Sequence, residues 1–209
     1  MTAAEQLIIF VKAPRPGAVK TRLAQTIGPE AACAAYRQLI GILLRELAPL
    51  VHVELRFTPD DAAAEIAAWR RPAWPITPQG EGDLGQRMQA AFQAAFATGT
   101  ERVVLIGSDC PSVTVRDIEE AWSALRQADA VFGPATDGGY WLVGLRAPQP
   151  ALFRDMAWST PEVLAETLRR AQAAQLRVQL LRPLTDVDTE TDWNEFLNCG
   201  NKSAESGPP

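Results

Sequence analysis

Histidine is almost missing from this chain: among 209 residues it occurs once, as His52. That excludes a histidine-rich metal centre, and a Ser-His-Asp triad would have to be built on this one residue. His52 stands in Val51-His52-Val53-Glu54-Leu55-Arg56-Phe57. The strict alternation reads as a strand with the apolar residues on one face and His52, Glu54 and Arg56 on a solvated one. Cysteine is scarce too. Cys33, Cys110 and Cys199 lie far apart with no Cys-x-x-Cys pair, so no structural zinc site or disulfide framework is expected, and the usage fits a reducing, cytoplasmic compartment. No apolar run approaches the ~18–20 residues a membrane span needs, and Met1–Gln6 lacks the basic start of a secretory signal. An excess of positive charge is lacking as well: the net charge of −5 argues against a nucleic-acid binder, which needs a basic face to displace counterions.

What is present is enough apolar material for a core, 47% of residues, arranged as alternating strand and helix signals. Residues 6–12 read as a first buried strand, and Gly28-Pro29 opens a helix whose stripe is Tyr36, Leu39, Ile40, Leu43, Leu44 and Leu47. A strand at 51–57, a helix over 59–70 and a short extended stretch near Trp74–Thr77 follow. Asp83 with Gln86 has the spacing of a capping box. Arg102–Gly107 is a continuous apolar run of the kind buried on both faces of a sheet. Thr114 caps the next helix, residues 130–133 and 140–145 are two more strands, and Thr160-Pro161 starts a helix to about Ala174. A last strand covers 177–181 and a short helix 192–197. The pattern predicts one α/β domain over residues 1–197, a three-layer α/β/α arrangement with a mostly parallel mixed sheet, and a disordered tail over 198–209. Ligands of such sheets bind beyond the carboxyl ends of the strands.

The loops at those ends carry the chemistry. Lys12-Ala13-Pro14-Arg15-Pro16-Gly17-Ala18-Val19-Lys20-Thr21-Arg22 holds four cations and no acid. Four like charges this close repel unless an anion sits among them, which marks Lys12, Lys20 and Arg22, with Pro14, Gly17 and Thr21, as a phosphate-binding segment. It is not a P-loop, since Val19 rather than glycine precedes Lys20-Thr21. After the most hydrophobic strand comes Gly107-Ser108-Asp109-Cys110-Pro111. An aspartate there is costly unless charge-paired or metal-bound, and Mg²⁺ is held by one or two carboxylates plus phosphate oxygens. Asp188, in Thr185-Asp186-Val187-Asp188-Thr189, offers the second carboxylate or simply part of a helix cap. Thr136-Asp137-Gly138-Gly139-Tyr140-Trp141 reads as a hairpin turn that also admits a ligand close to the backbone. Gly82, Asp83, Gln86 and Arg87 at one helix start, and Trp158, Ser159 and Thr160 at another, face the same edge.

Taken in order, these motifs resemble the nucleotide-diphospho-sugar transferase superfamily, the fold called GT-A. The nearest likeness is to a bacterial family labelled selenodomain-associated transferase or glycosyltransferase. It is carried by Phe10-Val11-Lys12-Ala13-Pro14-x-x-Gly17-x-x-Lys20-Thr21-Arg22-Leu23, Ser108-Asp109-Cys110-Pro111, Asp137-Gly138-Gly139-Tyr140-Trp141, Trp158-Ser159-Thr160 and Asp186-Val187-Asp188-Thr189-x-x-Asp192. The first and last are also similar to motifs of 2-phospholactate guanylyltransferase and molybdenum-cofactor guanylyltransferase. The resemblance implies that Lys20 contacts the phosphates and steadies the leaving pyrophosphate, that Asp109 and Asp188 bind Mg²⁺ or Mn²⁺, and that Ser108 lies by the nucleotide. It implies that Asp137, Gly138, Gly139 and Tyr140, with Trp158–Thr160, form the acceptor pocket. The Gly-Gly-x-Gly-x-Arg loop of sugar-nucleotide pyrophosphorylases and the Asp-x-Asp motif of many glycosyltransferases are absent. The expectation is therefore transfer of a nucleoside monophosphate from an NTP to a small phosphorylated acceptor, by a monomer or homodimer. Glycosyl transfer from a nucleotide-diphospho-sugar, and nucleotide binding without catalysis, are the alternatives.

Overall fold

A computed structural model describes residues 4–205. Its centre is a seven-stranded sheet in the order β3-β2-β1-β4-β6-β5-β7. The strands are β1 (Glu5–Lys12), β2 (Val53–Thr58), β3 (Ile76–Pro78), β4 (Arg102–Ile106), β5 (Ala130–Pro134), β6 (Tyr140–Leu145) and β7 (Val178–Leu180). All neighbouring pairs are parallel except those of β6, which runs antiparallel to both β4 and β5. The reversal at β6 comes from the turn read at Asp137-Gly138: Gly138 adopts φ +91°, and the Ala135 and Gly138 amides close the hairpin onto the Gly139 and Ala135 carbonyls.

The helices are α1 (Thr21–Ile27), α2 (Pro29–Glu46), α3 (Ala63–Ile66), α4 (Leu84–Ala97), α5 (Val115–Ala124), α6 (Val163–Ala173) and α7 (Glu190–Glu205). Both faces of the sheet are buried, which is why β1 and β4 are unbroken apolar runs. Leu7, Ile9 and Val11 of β1 pack with α2 and α5. Ile8 and Phe10 point to the other face, against α4 and Ala171 of α6. Helices on both faces make the three-layer α/β/α arrangement expected from the alternation. Among the described residues no helix is long and apolar enough to cross a membrane.

Several local readings change. The helix expected over 59–70 shrinks to α3 and a single 3₁₀ turn, Ala67–Trp69. Its alanine-rich segment buries only Ala62 and Ile66, too little apolar face to hold a longer helix in place. Conversely α1, within and just after the cationic segment, was not anticipated; it buries only Leu23. Glu54 and Arg56 are not solvated. Both are buried, and they pair with each other at 3.0 Å while Gln6 donates to Glu54 at 3.0 Å. His52 precedes the strand and is exposed. The last helix starts at Glu190 and continues through Glu205, beyond the end expected at 197 and into the stretch read as a disordered tail; residues 206–209 lie outside the described residues.

Candidate active site at the carboxyl ends of β1 and β4

Chain connectivity diverges at β1: β2 lies on one side of it and β4 on the other. The loops leaving β1 and β4 therefore separate and open a crevice between them, the position where ligands of open α/β sheets bind. Lys20 projects across it. Its Nζ lies 2.5 Å from Asp109 Oδ1 and 3.1 Å from Asp188 Oδ1. Arg22 is 3.8 Å from the other Asp188 oxygen. Three segments separated by up to 168 residues thus meet at one ammonium group. The Lys20 side chain is only 2% exposed. Burial on its own would lower its pKa, but the two carboxylates outweigh it and hold Lys20 charged. Its backbone is left-handed (φ 47°, ψ 48°), a conformation that costs a non-glycine residue roughly 1–2 kcal/mol.

The crevice floor is fastened by groups that sequence reasoning left in the core. Tyr36, read as part of an apolar stripe, places its hydroxyl 2.8 Å from the Lys12 amide and 3.2 Å from Ser108 Oγ, joining the ends of β1 and β4. A buried tyrosine needs such a partner, and that was the available signal. The Val187 amide donates to the Asp109 carbonyl at 3.0 Å, which sets Asp188 beside Asp109. Arg182 grips Asp117 with two bonds of 2.6 and 2.7 Å and donates to the Ser112 carbonyl, tying this segment to α5. Thr189 and Asp192 form the cap of α7 between themselves, so the Asp188 carboxylate is not used for capping.

The cationic segment is less uniform than its composition suggested. Lys12, Lys20, Thr21 and Arg22 line the cleft. Arg15 turns away to Glu65 and Asp61 on the surface. Pro14 does not line the cleft; its carbonyl accepts from Cys33 and Arg37. Gly17 is likewise outside it, at φ +79° in the turn. Repulsion among the four cations is relieved largely by carboxylates from elsewhere in the chain.

At the start of α4 only Arg87, of the four residues expected there, reaches the cleft. Asp83 and Gln86 cap the helix reciprocally at 2.9 Å each way. Gly82, at φ +98°, is where a Cβ would collide with the Gln86 side chain. Their polar groups are used within the turn. Arg87 donates to Gln79 Oε1 at 2.9 Å and to the Asp83 carbonyl, and among the described residues it pairs with no carboxylate. Gln79, 5% exposed, is pinned by its amide to the Val11 and Arg56 carbonyls. No local pattern marks Gln79, and the sequence reading passed over it.

On the far side, Asp137, Gly139, Tyr140, Trp158, Ser159 and Thr160 line the cleft, whereas Gly138 is packed against Pro161 at the start of α6. Asp137 accepts from the Gly139 amide at 2.9 Å. The whole cleft encloses about 570 Å³. Its acidic side is crowded: Asp186 joins Asp109 and Asp188, and burial followed by repulsion from these two and Asp137 pushes Asp186 up to about 7. Among the described residues no three or more acidic, histidine or cysteine side chains close into a metal cage. An all-oxygen donor pair with surplus negative charge nevertheless suits a hard cation that completes its shell with phosphate oxygens and water.

A family profile described as "Uncharacterized protein conserved in bacteria (DUF2064)" matches residues 44–160. Among curated proteins none matches. Among solved structures, the chain is similar to a protein from Desulfovibrio desulfuricans G20 whose assignment as a nucleotide-diphospho-sugar transferase is itself provisional. The two are 36% identical over 96% of this chain and 89% of that one, with a TM-score of 0.89. The inositol-1-phosphate CTP transferase of T. maritima is 13% identical, covers 100% and 99% of the two chains, and has a TM-score of 0.59. Rv0371C of Mycobacterium tuberculosis H37Rv, in complex with manganese, is 14% identical over 94% and 99%, with a TM-score of 0.57. The last two share the fold.

Proposed function

Since the chain belongs to the bacterial DUF2064 family and to the GT-A nucleotide-diphospho-sugar transferase superfamily, we propose that, as a transferase handling nucleotides, it is a divalent-metal-dependent nucleotidyltransferase. It moves a nucleoside monophosphate from an NTP to a small phosphorylated acceptor and releases pyrophosphate. The observation that carries this reading is the meeting of Lys20 with Asp109 and Asp188 at 2.5 and 3.1 Å. A buried ammonium beside two carboxylates at a sheet switch point is a site for phosphates bridged by a cation.

Asp109 and Asp188 would hold Mg²⁺ or Mn²⁺, which when bound supplies charge neutralisation at the α-phosphate. Lys20, with the exposed Arg22 beside it, neutralises the charge that gathers on the departing pyrophosphate, in surroundings dry enough to strengthen the interaction. Arg87 and Lys12, which pair with no carboxylate among the described residues, attract the rest of the nucleotide. An ionised acceptor phosphate is already a nucleophile, so the chain's own task is alignment; His52 lies outside the cleft and takes no part. The same fold serves an NTP and a phosphorylated acceptor in the CTP transferase of T. maritima.

Product analysis tests the reading. With NTP, Mg²⁺ and a panel of phosphate monoesters, pyrophosphate is the expected product, and chelation of the metal abolishes its release. Release of a nucleoside diphosphate from a nucleotide sugar, with no pyrophosphate from any NTP, would replace the reading by glycosyl transfer.

A further inference from the structure

We propose that the end of the cleft between α4 and α6 is an apolar seat for the acceptor's body, so that the acceptor is a small, carbon-rich phosphate ester rather than a polyhydroxylated sugar phosphate. The inference rests on the nucleotidyl-transfer reading. The cleft has two chemically different ends. Lys20 and the carboxylates stand at the ends of β1 and β4, with Gln79 and Arg87 toward β2 and β3. On that side the Gln79 amide is taken up by backbone carbonyls and by Arg87, while the Arg87 guanidinium keeps N–H groups beyond those given to Gln79 and the Asp83 carbonyl. The opposite end is floored by Phe10, Leu105 and Val143, from the adjacent strands β1, β4 and β6, and walled by Leu84, Met88 and Trp158. All six belong to, or pack on, the hydrophobic cluster under α4 and α6. A ligand lying there meets carbon on several sides.

The polar side chains on this side of the cleft are Asp137, which accepts from the Gly139 amide at 2.9 Å, Ser159 and Thr160. Thr160 donates its hydroxyl to the Ala157 carbonyl at 3.0 Å. The Tyr140 hydroxyl and the Trp158 indole nitrogen are buried and present no accessible atom to the cleft. The walls are also set close: the Trp158 ring lies against Gly85 so tightly that a Cβ at Gly85 would fall within 3 Å of it. A sugar hydroxyl buried here without a partner would weaken binding by about tenfold or more. A methylene buried here would strengthen it by about fourfold.

The test uses the full chain saturated with Mg²⁺ and with the α,β-methylene analogue of whichever of ATP, GTP, CTP or UTP binds best, so that the nucleotide side is filled. Methyl, ethyl, propyl and butyl phosphate, glycerol 3-phosphate and glucose 1-phosphate are then titrated by calorimetry. Kd is expected to fall about fourfold per added methylene, with butyl phosphate binding more than tenfold tighter than either polyol phosphate. Leu84→Ser, a half-buried position at the first turn of α4, is expected to flatten the series without lowering the melting temperature by more than a few degrees. A flat series, a tighter polyol phosphate, or no binding of any alkyl phosphate overturns the apolar seat. Pyrophosphate release with a flat series would leave the nucleotidyl reading standing alone; a steep series with nucleoside diphosphate release would do the reverse.

Discussion

The loop after β1 and the start of α4 are built from similar residues. Each has glycine at positive φ and a basic residue at a helix start, and each lies at the carboxyl edge of the sheet. In the first, Lys20 sends its ammonium across the crevice to carboxylates from two distant segments. In the second, Asp83 and Gln86 satisfy each other and Gly82 makes room for them, so that of the polar residues there Arg87 is the one that faces the cleft. The difference teaches that a polar residue near a ligand edge is available to the ligand only when its hydrogen-bonding capacity is not met by its own turn.

Four substitutions sharpen that contrast, in decreasing order of effect. Lys20→Ala removes the group where the segments meet, and turnover is expected to drop by about 10²–10³, the scale of one lost transition-state donor, with far less change in the melting temperature. Arg87→Met removes a charge-assisted contact worth roughly 1.5–3 kcal/mol, so the NTP concentration for half-saturation should rise about tenfold or more with kcat little changed. Arg182→Met loosens the segment carrying Asp188 by a comparable or smaller amount, read as thermal stability, and its pH dependence has a definite sign. Burial pushes Asp117 up, but the Arg182 fork and the Thr114 hydroxyl and amide outweigh it, so its folded-state pKa is lowered. A lowered carboxylate pKa contributes stability above the ordinary value of about 4 that is lost as pH falls through the folded value. The melting-temperature gap between wild type and Arg182→Met should stay constant from pH 7 to 5 and close below about pH 4. Asp83→Ala sits at the bottom: a lost cap costs about 1 kcal/mol of stability, with the NTP response unaltered. An Asp83→Ala variant that lost nucleotide affinity but kept its melting temperature would break the comparison.

The same distinction explains what could be read in the chain beforehand. β1, β4, β5 and β6 were legible because strands buried on both faces must be unbroken apolar runs. The caps at Asp83 and Thr114 were legible because a cap is a local bargain between residues three apart. The positions of Lys20, Asp109 and Asp188 were legible as loops following strands, while their meeting is a product of strand order. Glu54 and Arg56 misled because alternation shows two unlike faces but not whether the rest of the chain covers the second. Gln79 was invisible for the same reason: its partners are the backbone carbonyls of Val11 and Arg56, on two other strands. Helix α1 was missed because a segment burying only Leu23 has no stripe to detect. The apolar seat went unnoticed since Phe10, Leu105 and Met88 look the same whether they face a core or a ligand.

The central claim is that Lys20, Asp109 and Asp188 surround one phosphate-bearing ligand and its cation. Crystals grown with Mn²⁺ and an α,β-methylene NTP, measured at the manganese absorption edge, test it directly. The account predicts one anomalous peak within coordination distance of both the Asp109 and Asp188 carboxylates, with the nucleotide's phosphates beside Lys20. A nucleotide or manganese bound elsewhere, with the Lys20 ion pairs undisturbed, would contradict it.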